Sequence, residues 1–187
     1  MNARRCLVLV VTIAVLPFTM AHAATPAGTR QGEIRRALSA APPAIAARAS
    51  VEERGRDGRW IVLRQGDNGW TCIPRSNGDP DPLPACFDSY GMAFIQTFAT
   101  GRSPDPAKPG LSYMLQGGSA WSNVDPSASR LPPGRTDYVH IPPHIMILDS
   151  NLANQSGLPL HQTDPDTHAP FVMFGGTTHA ILIIPMK

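Results

Sequence analysis

Residues 171–184 contain Phe171-Val-Met-Phe174, then Gly175-Gly-Thr-Thr178, then His179-Ala-Ile-Leu-Ile-Ile184. Two apolar runs on either side of a glycine-containing turn predict a β-hairpin. The second run is almost continuously apolar, which is typical of a strand that is buried on both faces. The hairpin therefore predicts that the fold is organised around a β-sheet.

Shorter apolar runs upstream of this hairpin predict further strands. They occupy residues 111–115, 138–141 and 144–148. Pro142 and Pro143 separate the last two runs, and proline cannot donate a hydrogen bond to a neighbouring strand. We therefore expect two strand pieces here rather than one continuous strand.

A second hairpin is predicted between residues 60–63, Trp-Ile-Val-Leu, and residues 70–73, Trp-Thr-Cys-Ile. Asn68-Gly69 lies between these runs and is a strong signal for a tight turn, because both central residues of a type I′ turn need positive φ. Pro74 follows the second run, and residues 75–84 have the composition of a loop.

Helical patterns occur at two places. Residues 30–41 predict a short helix that ends before Pro42-Pro43, although a linker is the alternative. Residues 85–100 predict a longer helix, in which Phe87, Tyr90, Phe94 and Phe98 form an aromatic stripe facing the core and Gly101 ends the helix.

The predicted fold class is α+β, with a mixed, mostly antiparallel sheet, two hairpins and one or two helices. We expect a single globular domain over residues 44–187, preceded by an N-terminal segment at 24–43. Cys72 and Cys86 are predicted to form a disulfide that tethers the start of the longer helix to the hairpin at residues 60–73. A redox pair is the less favoured alternative, because such pairs usually have the spacing C-x-x-C.

Residues 1–23 have the three parts of a secretory signal peptide. Arg4 and Arg5 are followed by an apolar run, and Ala21-His-Ala23 predicts cleavage after Ala23. The apolar run is shorter than the roughly 20 residues that span a bilayer, so no stable membrane span is expected after cleavage. The predicted location is the periplasm or the extracellular space, where a disulfide would persist.

Charge argues against a nucleic-acid partner. Arg4 and Arg5 account for the whole formal charge of +2, so the chain after residue 23 is neutral. The arginines of residues 30–64 alternate with acids and glycine, and we expect them to form a solvated surface. Proteins that bind nucleic acid usually carry a basic patch instead.

The first candidate site is a soft-metal site. His144 and Met146 lie two residues apart on a predicted strand and therefore share a face. Met173 completes the predicted ligand set, and Met114 lies on another strand that could pair nearby. Thioether and imidazole ligands suit Cu(I), but methionine on alternate strand positions is also ordinary core filling.

The second candidate is a hydrolytic site. Ser119 or Ser122 would be the nucleophile, His144 or His179 the base, and Asp125 the orienting group. The Gly-x-Ser-x-Gly elbow of many hydrolases is absent. Ser122-Asn-Val-Asp125 is explained equally well as a capped turn.

The third hypothesis, which we favour, is a non-catalytic binding or interaction domain. Trp70 and Trp121 are its candidate ligand-binding residues, because tryptophan is enriched in recognition surfaces. The expected partner is a small molecule or a protein. No cofactor motif is present, so no cofactor is predicted.

Several short motifs resemble one family in their order and spacing. They are Ala41-Pro-Pro-Ala-Ile-Ala46, Asn68-Gly-Trp-Thr-Cys72, Tyr113-Met-Leu-Gln-Gly117, Ser122-Asn-Val-Asp-Pro126, Pro143-His-Ile-Met146, Phe171-Val-Met173 and Ile184-Pro185. The chain is similar here to a family of uncharacterised exported bacterial proteins, over about residues 41–187. The resemblance implies export but no activity. Members usually have a His-x-Met step near the C-terminus, where this chain has Ile181-Leu-Ile183.

Overall fold

The structure is a computed structural model and describes residues 27–76, 78–105 and 107–186. The predicted signal peptide, residues 1–23, lies outside the described residues. Within them, eight strands form one mostly antiparallel sheet, and two further strands form a small second sheet. The predicted α+β class, with its mixed, mostly antiparallel sheet, is confirmed.

The described helices are α1 (Ala27–Leu38), α2 (Pro43–Ala46), α3 (Ser89–Thr100) and α4 (Ser150–Gln155). The described strands are β1 (Ser50–Arg54), β2 (Trp60–Arg64), β3 (Thr71–Ile73), β4 (Ala85–Phe87), β5 (Gly110–Met114), β6 (Gly118–Ala120), β7 (Val139–Ile141), β8 (His144–Leu148), β9 (Phe171–Met173) and β10 (Ile181–Pro185).

The large sheet has the strand order β2-β1-β3-β4-β5-β8-β10-β9. Strands β1 and β3 run parallel, and the other neighbouring pairs run antiparallel. Strands β6 and β7 pair only with each other. Pro142 and Pro143 lie between β7 and β8, so the prediction of two separate strand pieces is confirmed.

Each face of the large sheet is covered by different elements. The first face includes Met114 and His144, and α3 and the β6–β7 pair pack against it. The second face includes Cys72, Cys86 and Tyr113, and α1 packs against it. Helix α4 covers the β9–β10 end of the second face. The core is therefore divided by the sheet into two layers.

The C-terminal hairpin is confirmed as β9 and β10. Strand β10 lies between β8 and β9. Ile181 and Ile183 are buried, whereas Leu182 and Ile184 are only partly buried. The continuous apolar run thus belongs to an inner strand that is more deeply buried on one face than on the other.

The hairpin predicted between residues 60–63 and 70–73 is wrong in its pairing. Strands β2 and β3 do not pair with each other, because β1 lies between them. Residues 50–54, Ser-Val-Glu-Glu-Arg, form this strand with only Val51 buried, so their composition gave no strand signal. The observed hairpin is β1–β2, and Asn68-Gly69 forms a turn that leads from one side of β1 to the other.

The predicted helix over residues 85–100 begins later than expected. Residues 85–87 form β4, and Asp88 caps α3 by accepting a 2.6 Å hydrogen bond from the backbone N–H of Gly91. Phe87 has the spacing of the helical stripe but belongs to the strand. Within α3, Phe94 is buried, whereas Tyr90 is 48% exposed, so the aromatic stripe is shorter than predicted.

The predicted disulfide between Cys72 and Cys86 is present. The two cysteines are directly opposite each other on β3 and β4. The bond therefore joins two adjacent strands rather than the helix itself, and α3 follows β4 after one residue, Asp88.

Arginine side chains fix helix α1 to the sheet, although Arg30 and Arg36 are exposed, as expected. Arg30 donates to the backbone carbonyl of Leu63, and Arg36 donates to that of Pro74. Arg75 forms an ion pair with Glu33, with a shortest distance of 2.6 Å.

None of the helices formed by the described residues combines the length and apolar character needed to cross a membrane.

Candidate functional site

A cavity of about 560 Å³ lies between the first face of the large sheet, α3 and the β6–β7 pair. We call it the His144 cavity. Its polar lining includes Arg54, Asp79 and Asp125. Its apolar lining includes Trp60, Ile73, Ala85, Phe87, Ile95, Phe98, Met114, Ala120, Trp121, Ile141, Met146, Met173, Phe174, Ile181 and Ile183. The volume is in the range of about 300–1,000 Å³ that is usual for small-molecule sites.

His144 is the most deeply buried polar residue of this lining, with 1% of its surface exposed. Its Nδ1 lies 2.8 Å from the carbonyl oxygen of Pro142. A carbonyl can only accept, so Nδ1 carries the proton and Nε2 presents a lone pair. Nε2 has no hydrogen-bond partner in the part of the chain that the structure describes. Burial lowers the pKa of His144 to about 4, so the ring is neutral at physiological pH.

Strand β6 passes directly over this imidazole. A Cβ on Gly118 would lie 2.9 Å from Cε1 of His144 and 3.6 Å from Nε2. The same point is 3.4 Å from the methyl carbon of Met114. The lack of a side chain at Gly118 therefore allows β6 to cover His144 and Met114 together.

The register of the sheet decides which methionines accompany His144. Met114 pairs directly with His144 across β5 and β8. Met146 lies two residues farther along β8 on the same face, as predicted. Both methionines are buried and line the cavity.

Met173 lines the same cavity but lies far from His144. Pro185 pairs with His144, whereas Met173 pairs with Ile181, four residues away along β10. This offset corresponds to about 13 Å along the strand direction. The predicted ligand set His144, Met146 and Met173 is thus not brought together, and Met114 takes the place expected for Met173.

The serines of the hydrolase hypothesis are engaged in local structure. Ser122 Oγ accepts the backbone N–H groups of Val124 and Asp125. Ser119 Oγ donates a hydrogen bond to the backbone carbonyl of Asp81 and accepts one from the backbone N–H of Asp81. Both residues line the cavity, but their hydroxyls serve a capped turn and a loop contact.

Asp125 and His144 also line one cavity without contacting each other. The Asp125 carboxylate accepts hydrogen bonds from the N–H and hydroxyl of Ser127, which lower the pKa of this carboxyl. Among the described residues, the His144 side chain bonds only the carbonyl of Pro142, and its Nε2 has no partner. The serine–histidine–aspartate chain needed for hydrolysis is therefore not assembled.

His179, the alternative base, lies outside the cavity lining. Its Nε2 is 3.0 Å from the hydroxyl of Thr97, and its ring lies 4.4 Å from that of Phe98. Partial burial lowers its pKa. His179 therefore joins the segment before β10 to α3, which is a structural role.

The two candidate tryptophans lie on opposite sides of the large sheet. Trp121 lines the His144 cavity, and its Nε1–H donates to the carbonyl of Gly78 at 2.9 Å. Trp70 packs on the second face, with its ring 5.4 Å from that of Tyr113. Trp121 is therefore positioned to meet a ligand in the cavity, and Trp70 is part of the core beneath α1.

Sequence reasoning did not single out Asp79, which lines the cavity. Burial raises the pKa of its carboxyl to about 6, partly offset by a hydrogen bond from Ser76. Asp79 precedes a proline, as several other aspartates do, and no sequence signal distinguishes it. Its role depends on the fold that places it beside the cavity.

Metal ions that prefer oxygen ligands find no cluster of suitable side chains among the residues that the structure describes. Among the described residues, no group of three or more His, Cys, Asp or Glu side chains is arranged to hold a metal ion.

Comparison with known proteins gives no relative for this chain. No protein-family model, no curated protein and no solved structure matches it. The resemblance to a family of exported bacterial proteins therefore stays a prediction, and the function must be argued from the geometry of the site.

Proposed function

We propose that this protein is an exported, non-catalytic binding protein that takes a small, largely apolar molecule into the His144 cavity. The observation that carries the proposal is a buried acceptor in an apolar wall. Among the described residues, three buried side-chain atoms lack a hydrogen-bond partner, in Ser112, Asn123 and His144. Of these three residues, only His144 lines the cavity.

An unpaired buried polar atom costs about 1–3 kcal/mol of folding free energy. A ligand that donates a hydrogen bond to Nε2 would remove this cost in the bound state. Because Nδ1 carries the proton, Nε2 can only accept. The ligand should therefore be largely apolar, and the group that meets Nε2 should be a hydroxyl or N–H and not a carboxylate or phosphate.

Other residues of the cavity lining favour the same class of ligand. Trp60 and Trp121 offer broad apolar surfaces with limited side-chain freedom. Asp79 adds a second acceptor when it is ionised. A hydroxyl- or amine-bearing apolar molecule would match both the lining and the acceptors.

Export is the second part of the proposal. The signal-like sequence at residues 1–23 and the Cys72–Cys86 disulfide support it together. Disulfides persist in the periplasm and outside the cell, whereas cytosolic proteins rarely keep them. A binding protein in that compartment would meet small molecules that enter or leave the cell envelope.

The test uses N-phenyl-1-naphthylamine, an apolar fluorescent probe with one N–H donor. We expect saturable binding to the purified protein with a blue-shifted emission. His144→Leu should weaken binding roughly 5- to 10-fold, which is the size of one hydrogen bond. His140→Leu is the matched control, because His140 is exposed, contacts Asp137 and lies outside the cavity lining.

Two results would contradict the proposal. One is the absence of saturable probe binding to the folded, oxidised protein. The other is an equal loss of affinity in His144→Leu and His140→Leu. Thermal melting of both variants shows that each is folded before binding is compared.

A further inference from the structure

We propose that His144 and Met114, together with Met146, form a binding site for Cu(I) in the wall of the cavity. This is a second binding activity, which shares the His144 Nε2 lone pair with the apolar ligand but also needs the two thioethers. It follows from a nitrogen lone pair, a thioether placed opposite it, and a second thioether on the same face.

The imidazole is already in the state that a metal requires. Metal-ligating histidines usually donate their other ring N–H to a carbonyl or carboxylate, which fixes the tautomer and the ring orientation. His144 does this through its 2.8 Å contact with the carbonyl of Pro142. Nε2 carries no proton and has no hydrogen-bond partner among the described residues. No proton therefore has to leave it when a metal binds. His144 as a whole is 1% exposed.

Met114 is held next to this nitrogen by the sheet. It is the direct cross-strand partner of His144, and cross-strand partners have Cβ atoms about 4.5–5.5 Å apart. The methyl carbon of Met114 and the Cε1 and Nε2 atoms of His144 all lie within 4 Å of one point above Gly118. Because methionine has three rotatable bonds, its sulfur can turn toward Nε2 without movement of the backbone.

Met146 supplies the third ligand from the adjacent position on the same face of β8. It is buried and lines the same cavity. Its neighbours in the sheet are Ser112 and Ile183, so no charged side chain separates it from His144. Two thioethers and one imidazole thus share one apolar wall.

The chemistry of these ligands selects the metal. Thioether sulfur is a soft ligand that favours Cu(I), whereas Mg²⁺ and Ca²⁺ need oxygen ligands. A neutral, mainly apolar ligand set is suited to a monovalent ion, because a divalent ion would leave more charge uncompensated in the cavity wall.

The experiment uses Ag(I) as a redox-inert substitute for Cu(I), so that no reductant is needed and the disulfide stays intact. The full chain is labelled with ¹³C at the methionine methyl groups, and every sample carries Cys6→Ser to remove the other cysteine thiol. On titration with Ag(I), we expect the methyl signals of Met114 and Met146 to shift and those of Met92 and Met173 to stay in place.

Affinity measurements on conservative variants then assign the ligands. Met114→Leu keeps the side-chain volume and should weaken Ag(I) binding roughly tenfold or more, as should His144→Leu. Met92→Leu is the matched control, because Met92 is a buried methionine of α3 that does not line the cavity.

The proposal is overturned if Met114→Leu binds Ag(I) as tightly as the unchanged protein while its methyl spectrum shows a folded chain. It is also overturned if the shifts appear at Met92 or Met173 instead. Probe binding by N-phenyl-1-naphthylamine is measured on the same Met114→Leu sample. A variant that keeps probe binding but loses Ag(I) separates the metal site from the apolar ligand.

Discussion

At the scale of single residues, burial shifts the pKa values of two residues in the cavity lining in opposite directions. In both cases it favours the neutral form of the side chain. His144 is kept neutral, since its pKa falls to about 4. Asp79 is also pushed toward its neutral form, since its pKa rises to about 6. Both side chains are therefore more easily kept neutral than charged in this apolar space. Their effects on folding stability are nevertheless opposite when the pH falls.

The histidine makes the folded protein less stable in acid. In the unfolded chain His144 takes up a proton near pH 6.5, whereas in the folded chain it does so only near pH 4. Its contribution is thus complete above about pH 6.5 and is lost between pH 6.5 and pH 4. At pH 5 the loss is about 2 kcal/mol. Asp79 partly masks it, because a raised carboxyl pKa makes the folded state gain stability over the same range.

Urea unfolding at pH 7 and pH 5 can separate these effects. We expect Asp79→Asn to lose more stability on acidification than the unchanged protein, and His144→Leu to lose less. The leucine variant should also be as stable as the unchanged protein or more stable at pH 7, because it removes the unpaired Nε2. Identical pH dependence in all three proteins would contradict the assigned burial of His144.

At the scale of elements, the site depends on how closely α3 approaches the sheet. Gly91 of α3 lies against Gly110 of β5, and a Cβ on Gly110 would come within 2.5 Å of the Gly91 Cα. This contact lets the helix lie directly on β5 and bring Ile95 and Phe98 to the cavity wall. Gly110 follows Pro109 and is explained in the sequence as part of a turn, and Gly91 lies within the predicted helix, so the sequence alone did not reveal their contact.

Alanine substitutions at two glycines test this approach. Gly110→Ala must push two backbones apart, and we expect a loss of about 2–4 kcal/mol in unfolding free energy. Gly32→Ala is the control in α1, where a Cβ would meet nothing within 4 Å. Since alanine is the better helix former, this change should stabilise by up to about 1 kcal/mol. Chemical denaturation measures both, and equal effects would refute the close contact.

Element boundaries also show what the sequence pattern could and could not predict. The C-terminal hairpin was predicted because both of its strands are apolar and a glycine turn joins them. Strand β1 was missed because Glu52, Glu53 and Arg54 follow its one buried residue, Val51. Strand β4 was assigned to a helix because Phe87 happens to continue the helical spacing. Periodicity reports burial, and it fails where a strand has few buried residues.

At the scale of the whole molecule, the candidate site was only half visible in the sequence. The shared face of His144 and Met146 follows from the two-residue period of a strand. The choice between Met114 and Met173 depends on the β5–β8 and β8–β10 pairings, which join segments at least 30 residues apart in sequence. That information arises only when the sheet assembles. The same holds for Trp70 and Trp121, which lie in different layers of the molecule.

The assembled molecule should also depend on where it is made. Cys72 and Cys86 close a loop across β3 and β4, and a loop of about 15 residues stabilises by about 3 kcal/mol when it is cross-linked. We expect reduction of the purified exported protein to lower its unfolding free energy in urea by about that amount. Without reductant, the denatured exported protein should show no free thiol at Cys72 or Cys86.

The matched control is the Cys72→Ala/Cys86→Ala double variant, whose stability should not respond to reductant. Protein retained in the cytosol, where thiols are kept reduced, should resemble the reduced sample and not the exported one. Both cysteines are fully buried between the sheet and α1. We therefore expect loss of the bond also to weaken the packing of α1 against the second face of the sheet. Two results would contradict this prediction: two free thiols in the exported protein, or a urea midpoint that reduction leaves unchanged. In either case the disulfide would no longer support the proposed compartment.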